Sequence, residues 1–310
     1  MKKKLVKVFL VLFLVLSLTG CTKQLKDSNK KVVKNEITGQ VLPSNILCRP
    51  EEKKTIELYE KNGVNLSNFP KCSEYKITSG GYDGIWGTIF VRPLAWLIIK
   101  IGLLVKNYGL AIIIITLLIR LILYPMTKKT AMQSENMKLA QSDLQKLEKK
   151  YQGKQDQQSM MQKSQEMMII YKKYNIKPLS GCIFALIQIP LFFAFYESMN
   201  RLPAIFEENL LGFHLGTSPV TAFSHGNYLY LIFIVLVFLS TYFSFKLNSS
   251  APSTTPEQAK SMKMMQTISV VMITVASITM SVGIQIYWIF NSAFTIVQNL
   301  LVKRKKSNVK

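Results

Sequence analysis

The chain has 310 residues, 49% of them hydrophobic, with a mean hydropathy of +0.20 and a formal net charge of +22. Such hydropathy combined with long uncharged runs excludes a soluble globular domain and fits an integral membrane protein. Much of the positive charge flanks apolar segments, where orientation charges and anionic-lipid contacts belong, so it does not point to nucleic acid as a specific ligand.

Residues 1–20 read as an export signal. Lys2, Lys3, Lys4 and Lys7 form a charged region, and Leu5 to Leu18 an apolar one too short and one-sided for a stable span. It ends in Leu18-Thr19-Gly20-Cys21, which resembles the bacterial lipobox. That resemblance implies lipidation of the Cys21 thiol, cleavage before it, and an acylated N-terminus on the outer face. Residues 21–84 are polar and mixed in charge, with turn signals at Asn62-Gly63 and Gly80-Gly81. A tether to about residue 40 is expected there, followed by a small exported segment. Cys48 and Cys72 lie on the oxidising side and are candidates for a disulfide. Cys182 sits in an apolar run as a small buried hydrophobe.

The stretch 85–106 is apolar but interrupted by Arg92-Pro93 and Lys100, so it is either a span or an amphipathic helix in the interface. Parity decides. Five later runs have spanning length: 109–127, 179–199, 228–247, 264–282 and 284–302. With the lipidated end outside, five spans place 128–178, 248–263 and the basic tail 303–310 in the cytoplasm. The connection 200–227, with Arg201 against Glu207 and Glu208, then falls outside, as the positive-inside bias requires. A sixth span would invert this. The expected fold is therefore an all-α integral membrane protein: five transmembrane helices within a core 107–302, an external interfacial helix, and a cytoplasmic helical hairpin. The last two runs are nearly continuous, leaving Ser281, Gly283 and Gln285 to form a tight turn, with Gly283 free to take φ > 0.

The first span carries Arg120 inside the run Ala111 to Lys129. A guanidinium there costs about 3 kcal/mol on insertion scales, so it must be paired, hydrated or used. Snorkelling toward Lys128, roughly 12 Å along the helix, is the bland solution. Gln188 beside Pro190 and Asn291 in the last span are the other intramembrane polar groups of note. No acidic residue sits deep enough for an ion pair, so water in a pocket open to the cytoplasm is the expected partner of Arg120. In the hairpin, Met137, Ala140, Leu144, Leu147 and Tyr151 form one apolar stripe, and Met160, Ser164, Met167, Tyr171 and Tyr174 a second. Eleven lysines against five acidic residues between 128 and 177 make it a basic arm, with Met160, Met161, Met167 and Met168 as an adaptable docking surface. The chain has no GxxxxGK, no HExxH and no Ser/His/Asp set, and its two histidines, His214 and His225, both lie in the 200–227 connection. No catalytic residue, metal site or cofactor is expected.

The segments YGLAIIIITLLIRLILYPMTKKTAMQSENM (108–137), NIKPLSGCIFALIQIPLFFAFYESM (175–199) and GIQIYWIFNSAFTIVQNLL (283–301) resemble the YidC/Oxa/Alb family of membrane protein insertases, in its Gram-positive-type lipoprotein form. The resemblance implies a hydrophilic groove open to cytoplasm and lipid, lined by Arg120, Gln188, Trp288 and Asn291. Client helices would pass Ile187, Phe192, Phe193 and Trp288. It also implies nascent membrane proteins as clients, the Sec translocon, the signal recognition particle receptor and the ribosome as further partners, and no enzymatic chemistry. Ser281 stands where the family usually has proline. The rival readings are a small-solute transporter or channel, against which the absence of internal repeats counts, and a surface assembly factor acting through residues 22–84.

Overall fold

The computed structural model describes residues 22–154, 156–177, 180–248 and 256–307. The export signal, Cys21 and the end of the basic tail lie outside them, as do the side chains of Cys182 and Ile187. The chain forms two compact units, Met1–Leu117 with Ile189–Ile234 and Ala276–Trp288, and Leu118–Gln188 with Val235–Val275 and Ile289–Lys310.

In the first unit the N-terminal segment is folded from its first described residues. Leu25 N–H donates to Leu42 O (2.7 Å) and Val33 N–H to Leu25 O (2.9 Å), so residues 24–43 run back and forth on themselves. The expected tether is absent here because Leu25, Leu42 and Ile46 have a core to enter. They bury with Tyr59 of α1 (Lys53–Lys61), Leu66 and Phe206. Cys48 and Cys72 are joined in a disulfide across 24 residues.

Helix α2 (Gly84–Val105) includes a wide turn at Gly87–Val91. It buries Arg92, Leu94, Ala95, Ile98, Ile99 and Gly102 and exposes Ile85, Ile89, Phe90, Lys100 and Leu104. Lys106 in the left-handed region ends it. Asn107 then caps α3 (Tyr108–Lys150), its Oδ1 accepting from Leu110 N–H at 2.9 Å. Glu208 accepts from Tyr108 N–H (3.2 Å), placing an anion at that helix start. The 202–230 connection adds a two-stranded ribbon, β1 (Asn209–Leu210) with β2 (Phe213–His214), and a short helix Pro219–Ser224.

In the second unit α3 does not stop where its apolar run stops. It continues through Pro125 to Lys150 as one 43-residue helix. Proline costs this helix one backbone hydrogen bond, and Thr127 Oγ1 bonds the nearby carbonyls of Leu123 and Tyr124 at 3.2 Å. Gly153, at φ +81°, turns the chain into α4 (Gln157–Lys173), where Asp156 caps Ser159 N–H at 2.8 Å. Met137, Ala140 and Leu144 pack with Ile176, Met167, Ile170, Tyr171 and Tyr174. The first stripe thus faces inward as expected, but Met160 and Ser164 of the second are exposed and the packed face begins at Met167. Ion pairs rim the contact: Lys173–Asp143 at 2.8 Å, Lys163–Glu148 at 2.7 Å and Lys150–Glu166 at 2.6 Å.

The remaining helices are α5 (Ser180–Arg201), with Pro190 in its interior, α6 (Leu231–Asn248), α7 (Pro256–Ser277) and α8 (Val282–Ser307). Among the described residues, three helices are long and apolar enough to cross a membrane: Gly84–Val105, Tyr108–Lys150 and Tyr228–Leu247. Lys263–Ser277 is a shorter apolar helix. The turn between the last two helices falls at 278–281, not at the glycine. Gly283 already lies in the first turn of α8 without a positive φ, its N–H held by Leu215 O at 2.9 Å. The bend is stabilised from outside instead: Val282 N–H donates to Thr217 O (2.9 Å) and Val220 N–H to Ile278 O (3.0 Å).

Two outcomes are expected of stability measurements in detergent. Reducing the Cys48–Cys72 bridge, or replacing both cysteines with serine, should cost about 3 kcal/mol by the loop-closure argument and lower the melting temperature of the first unit. Glu207 supplies the second. Its carboxylate accepts from Glu51 and Glu52 N–H (3.0 and 3.3 Å), but burial pushes its pKa from 4.5 up to about 7. The unfolded chain therefore ionises before the folded one, and stability should fall as pH rises between those two values and level off above. Melting curves across that range should show the fall, and Glu207→Gln should flatten it.

Candidate functional site

The second unit holds the buried cation. Arg120 on α3 is 2% exposed, and its Nε donates to Asn291 Oδ1 on α8 at 2.6 Å. A side-chain amide oxygen is thus one partner of Arg120. Seven residues further along both helices, Thr127 Oγ1 lies 3.0 Å from Gln298 Oε1, and both residues are buried. The two contacts share one sequence offset, 171 residues. The helices are therefore parallel, with a polar pair every two turns, roughly 10 Å of rise. Gln188 on α5 is half-buried in this same unit.

This pairing leaves charge in place. Asn291 is neutral, so its oxygen satisfies one of the five guanidinium donors without cancelling the positive charge. Burying a cation normally demands an acidic partner. Asn291 thus supplies a hydrogen-bond acceptor and no countercharge to Arg120.

In the first unit, aromatic residues of α5 meet the start of α8. Phe192 is edge-on to Trp288 with ring centres 5.4 Å apart, and Phe195 stacks on Tyr287 at 4.2 Å. Phe192 and Trp288 are half-buried, and Phe193 is 47% exposed. The structure therefore brings Arg120 to Asn291 and Phe192 to Phe193 and Trp288.

Sequence reasoning missed a second polar cluster in that unit. Arg201 Nη2 lies 2.6 Å from Asp83 Oδ2 and Nη1 2.9 Å from Glu197 Oε1, while its Nε donates to Asn45 O at 2.7 Å. Trp86 Nε1 donates to Glu197 Oε2 (3.0 Å), and Arg92 Nε stands 3.9 Å from Asp83 Oδ2 and donates through Nη1 to Gly81 O. Two cations meet two anions, so this cluster is neutral. Only the i, i+4 spacing of Glu197 and Arg201 could have signalled it. Asp83 and Arg92 are remote in sequence from that pair.

A helical membrane protein with a buried arginine bonded to a side-chain amide, and with a neutral ionic cluster, is the class defined so far. The profile of the 60Kd inner membrane protein family matches residues 100–309. The chain is 34% identical over 226 residues to the membrane protein insertase YidC of Oceanobacillus iheyensis, covering 72% of this chain and 85% of that one. It is also 34% identical over 219 residues to the membrane protein insertase MisCA of Bacillus subtilis, covering 70% and 79%. In structure it resembles an active YidC insertase with its first transmembrane domain resolved, with a TM-score of 0.50 and 22% identity. That match covers 71% of this chain and about half, 48%, of the solved one. The chain belongs to the 60Kd inner membrane protein family.

The contrast between buried and exposed ion pairs is testable. Arg201→Met strands Asp83 and Glu197 and should cost about 3–5 kcal/mol, the usual penalty for breaking a buried pair. Lys173→Ala, at an exposed pair, should change stability far less. Thermal unfolding of both variants in one detergent checks the ratio.

Proposed function

We infer that this chain is a membrane protein insertase. It integrates membrane proteins, and helps them fold, through a hydrophilic groove open to cytoplasm and lipid, without nucleotide or cofactor. The relatives named as insertases support the activity. The observation that carries the mechanism is Arg120, buried yet held by a neutral amide. The groove residues are Arg120, Gln188, Asn291 and Trp288. A client's hydrophilic tail enters, drawn by the guanidinium if acidic, while its apolar helix passes Ile187, Phe192, Phe193 and Trp288 into lipid. Hydrophobic insertion and, for acidic tails, the membrane potential supply the drive.

We propose the topology on the same footing. Five spans leave the lipid-anchored N-terminus outside and the C-terminus in the cytoplasm. The parallel course of α3 and α8 supports an odd count, since the first and last of five spans run the same way. An interfacial placement of α2 is supported by Lys100, which is exposed on the same helix as Ile89 and Leu104 and would otherwise face lipid. The basic hairpin, with Met160, Met161 and Met168 exposed, is the docking arm for the Sec translocon, the signal recognition particle receptor or the ribosome, and touches anionic lipid.

The test is insertion of a single-span client into liposomes containing only this protein, scored by protease protection. Two unit charges about 4 Å apart attract by about 1–4 kcal/mol between watery and near-surface dielectrics. Arg120→Ala should therefore lower insertion of an acidic-tailed client about tenfold or more, Arg120→Lys should lower it less, and a neutral-tailed client should respond little. Protection no higher than in empty liposomes, with folded protein present, would remove the reading.

A further inference from the structure

The first unit contains a cavity of about 850 Å³, within the size range of roughly 300–1,000 Å³ typical of small-molecule sites. Phe90 and Phe193 wall one part of it, and Val220, Met280 and Ile284 another. Polar side chains interrupt this apolar lining, Lys34, Glu197, Asn200 and Ser218 among them, together with Thr22 and Gln40. Thr22 Oγ1 and Gln40 Oε1 are both buried and without a hydrogen-bond partner among the described residues. A protein rarely leaves such atoms unmet, so each points to a ligand group.

Thr22 directly follows Cys21. If Cys21 carries a thioether-linked diacylglycerol, as its lipobox implies, that lipid begins one residue from the cavity wall. We propose that this cavity seats the chain's own lipid anchor. The acyl chains lie against Phe90, Phe193, Met280 and Ile284. The Thr22 hydroxyl donates to a glyceryl ester carbonyl, and Gln40 Oε1 accepts from the N–H of Cys21. The chemistry is complementary on both counts: the esters offer only acceptors, and the terminal nitrogen offers the donor. No covalent step is involved beyond the modification itself. The proposal rests on the lipoprotein reading of Cys21.

The experiment uses the full-length protein, expressed in a lipidating bacterium and reconstituted in nanodiscs without clients. A photoreactive benzoylphenylalanine replaces Met280. Intact mass before illumination establishes whether Cys21 carries lipid. After illumination, proteolysis and mass spectrometry should find residue 280 joined to the acylated Cys21 peptide. Ala276→Trp or Ser281→Phe, each filling the cavity from its wall, should reduce that product to background while the protein remains folded by circular dichroism. Adducts with free phospholipid that are equally abundant in the native chain and in Cys21→Ser would overturn the proposal in favour of a bilayer-lipid site. Absence of any lipid adduct at residue 280 in verifiably lipidated protein would overturn it outright. An intact mass without lipid would remove the lipoprotein reading and the proposal with it, and is distinguished by being recorded first.

Discussion

The cost of placing a guanidinium in apolar surroundings shapes this protein more than any other single term. The chain meets it in two ways. Arg92 and Arg201 are neutralised by Asp83 and Glu197, and the fourfold cluster ties α2, α5 and the N-terminal segment together. Arg120 is bonded to the side chain of Asn291, a partner that satisfies a donor and leaves the charge. The first arrangement is what stability alone favours, because breaking a buried pair is expensive and keeping it adds rigidity. The second satisfies a guanidinium donor with a neutral oxygen, and Asn291 adds no countercharge.

The N-terminal segment belongs to the same unit as that neutral cluster and depends on it. Leu47 N–H donates to Arg201 O and Glu207 accepts two N–H groups at the start of α1, while Phe206 enters the core between Leu42 and Tyr59. Removing residues 22–84 would therefore uncover Phe206 and strip Arg201 of Asp83 and Asn45. A truncation of that kind tests the integrity of the unit as much as it tests any separate role of the segment.

In the other unit, the long helix α3 links two chemistries that are usually kept apart. Its first part is apolar around one cation, and its second part is a lysine-rich arm packed on α4. The helix continues through Pro125 without a break. The arm's own cohesion comes from Met137, Leu144 and Ile176, with exposed ion pairs contributing little. Met161, Met168 and Ile169 remain on the outside, as an apolar surface that no helix of the described hairpin covers.

By itself the sequence determined the membrane class, the positions of apolar helices and the presence of a cation, Arg120, within one of them. Those conclusions follow from local quantities: hydropathy over a window, a charge within it, and the 3.6-residue period that places Met137, Ala140 and Leu144 on one face. The family was legible too, in the segments that contain Arg120, Gln188 and Trp288. Only the tertiary structure decided the rest. Leu25, Leu42 and Ile46 are single apolar residues in polar surroundings, so no period announces a core that forms when they meet Tyr59 and Phe206. The turn at 278–281 is held by Thr217 and Val220 from a distant segment, which is why no local glycine marks it. Asn291 stands 171 residues from Arg120, and Asp83 more than a hundred from Arg201. A polar partner that far along the chain is chosen by packing, because the free energy of a buried charge depends on what lies beside it in space and not on its neighbours in sequence.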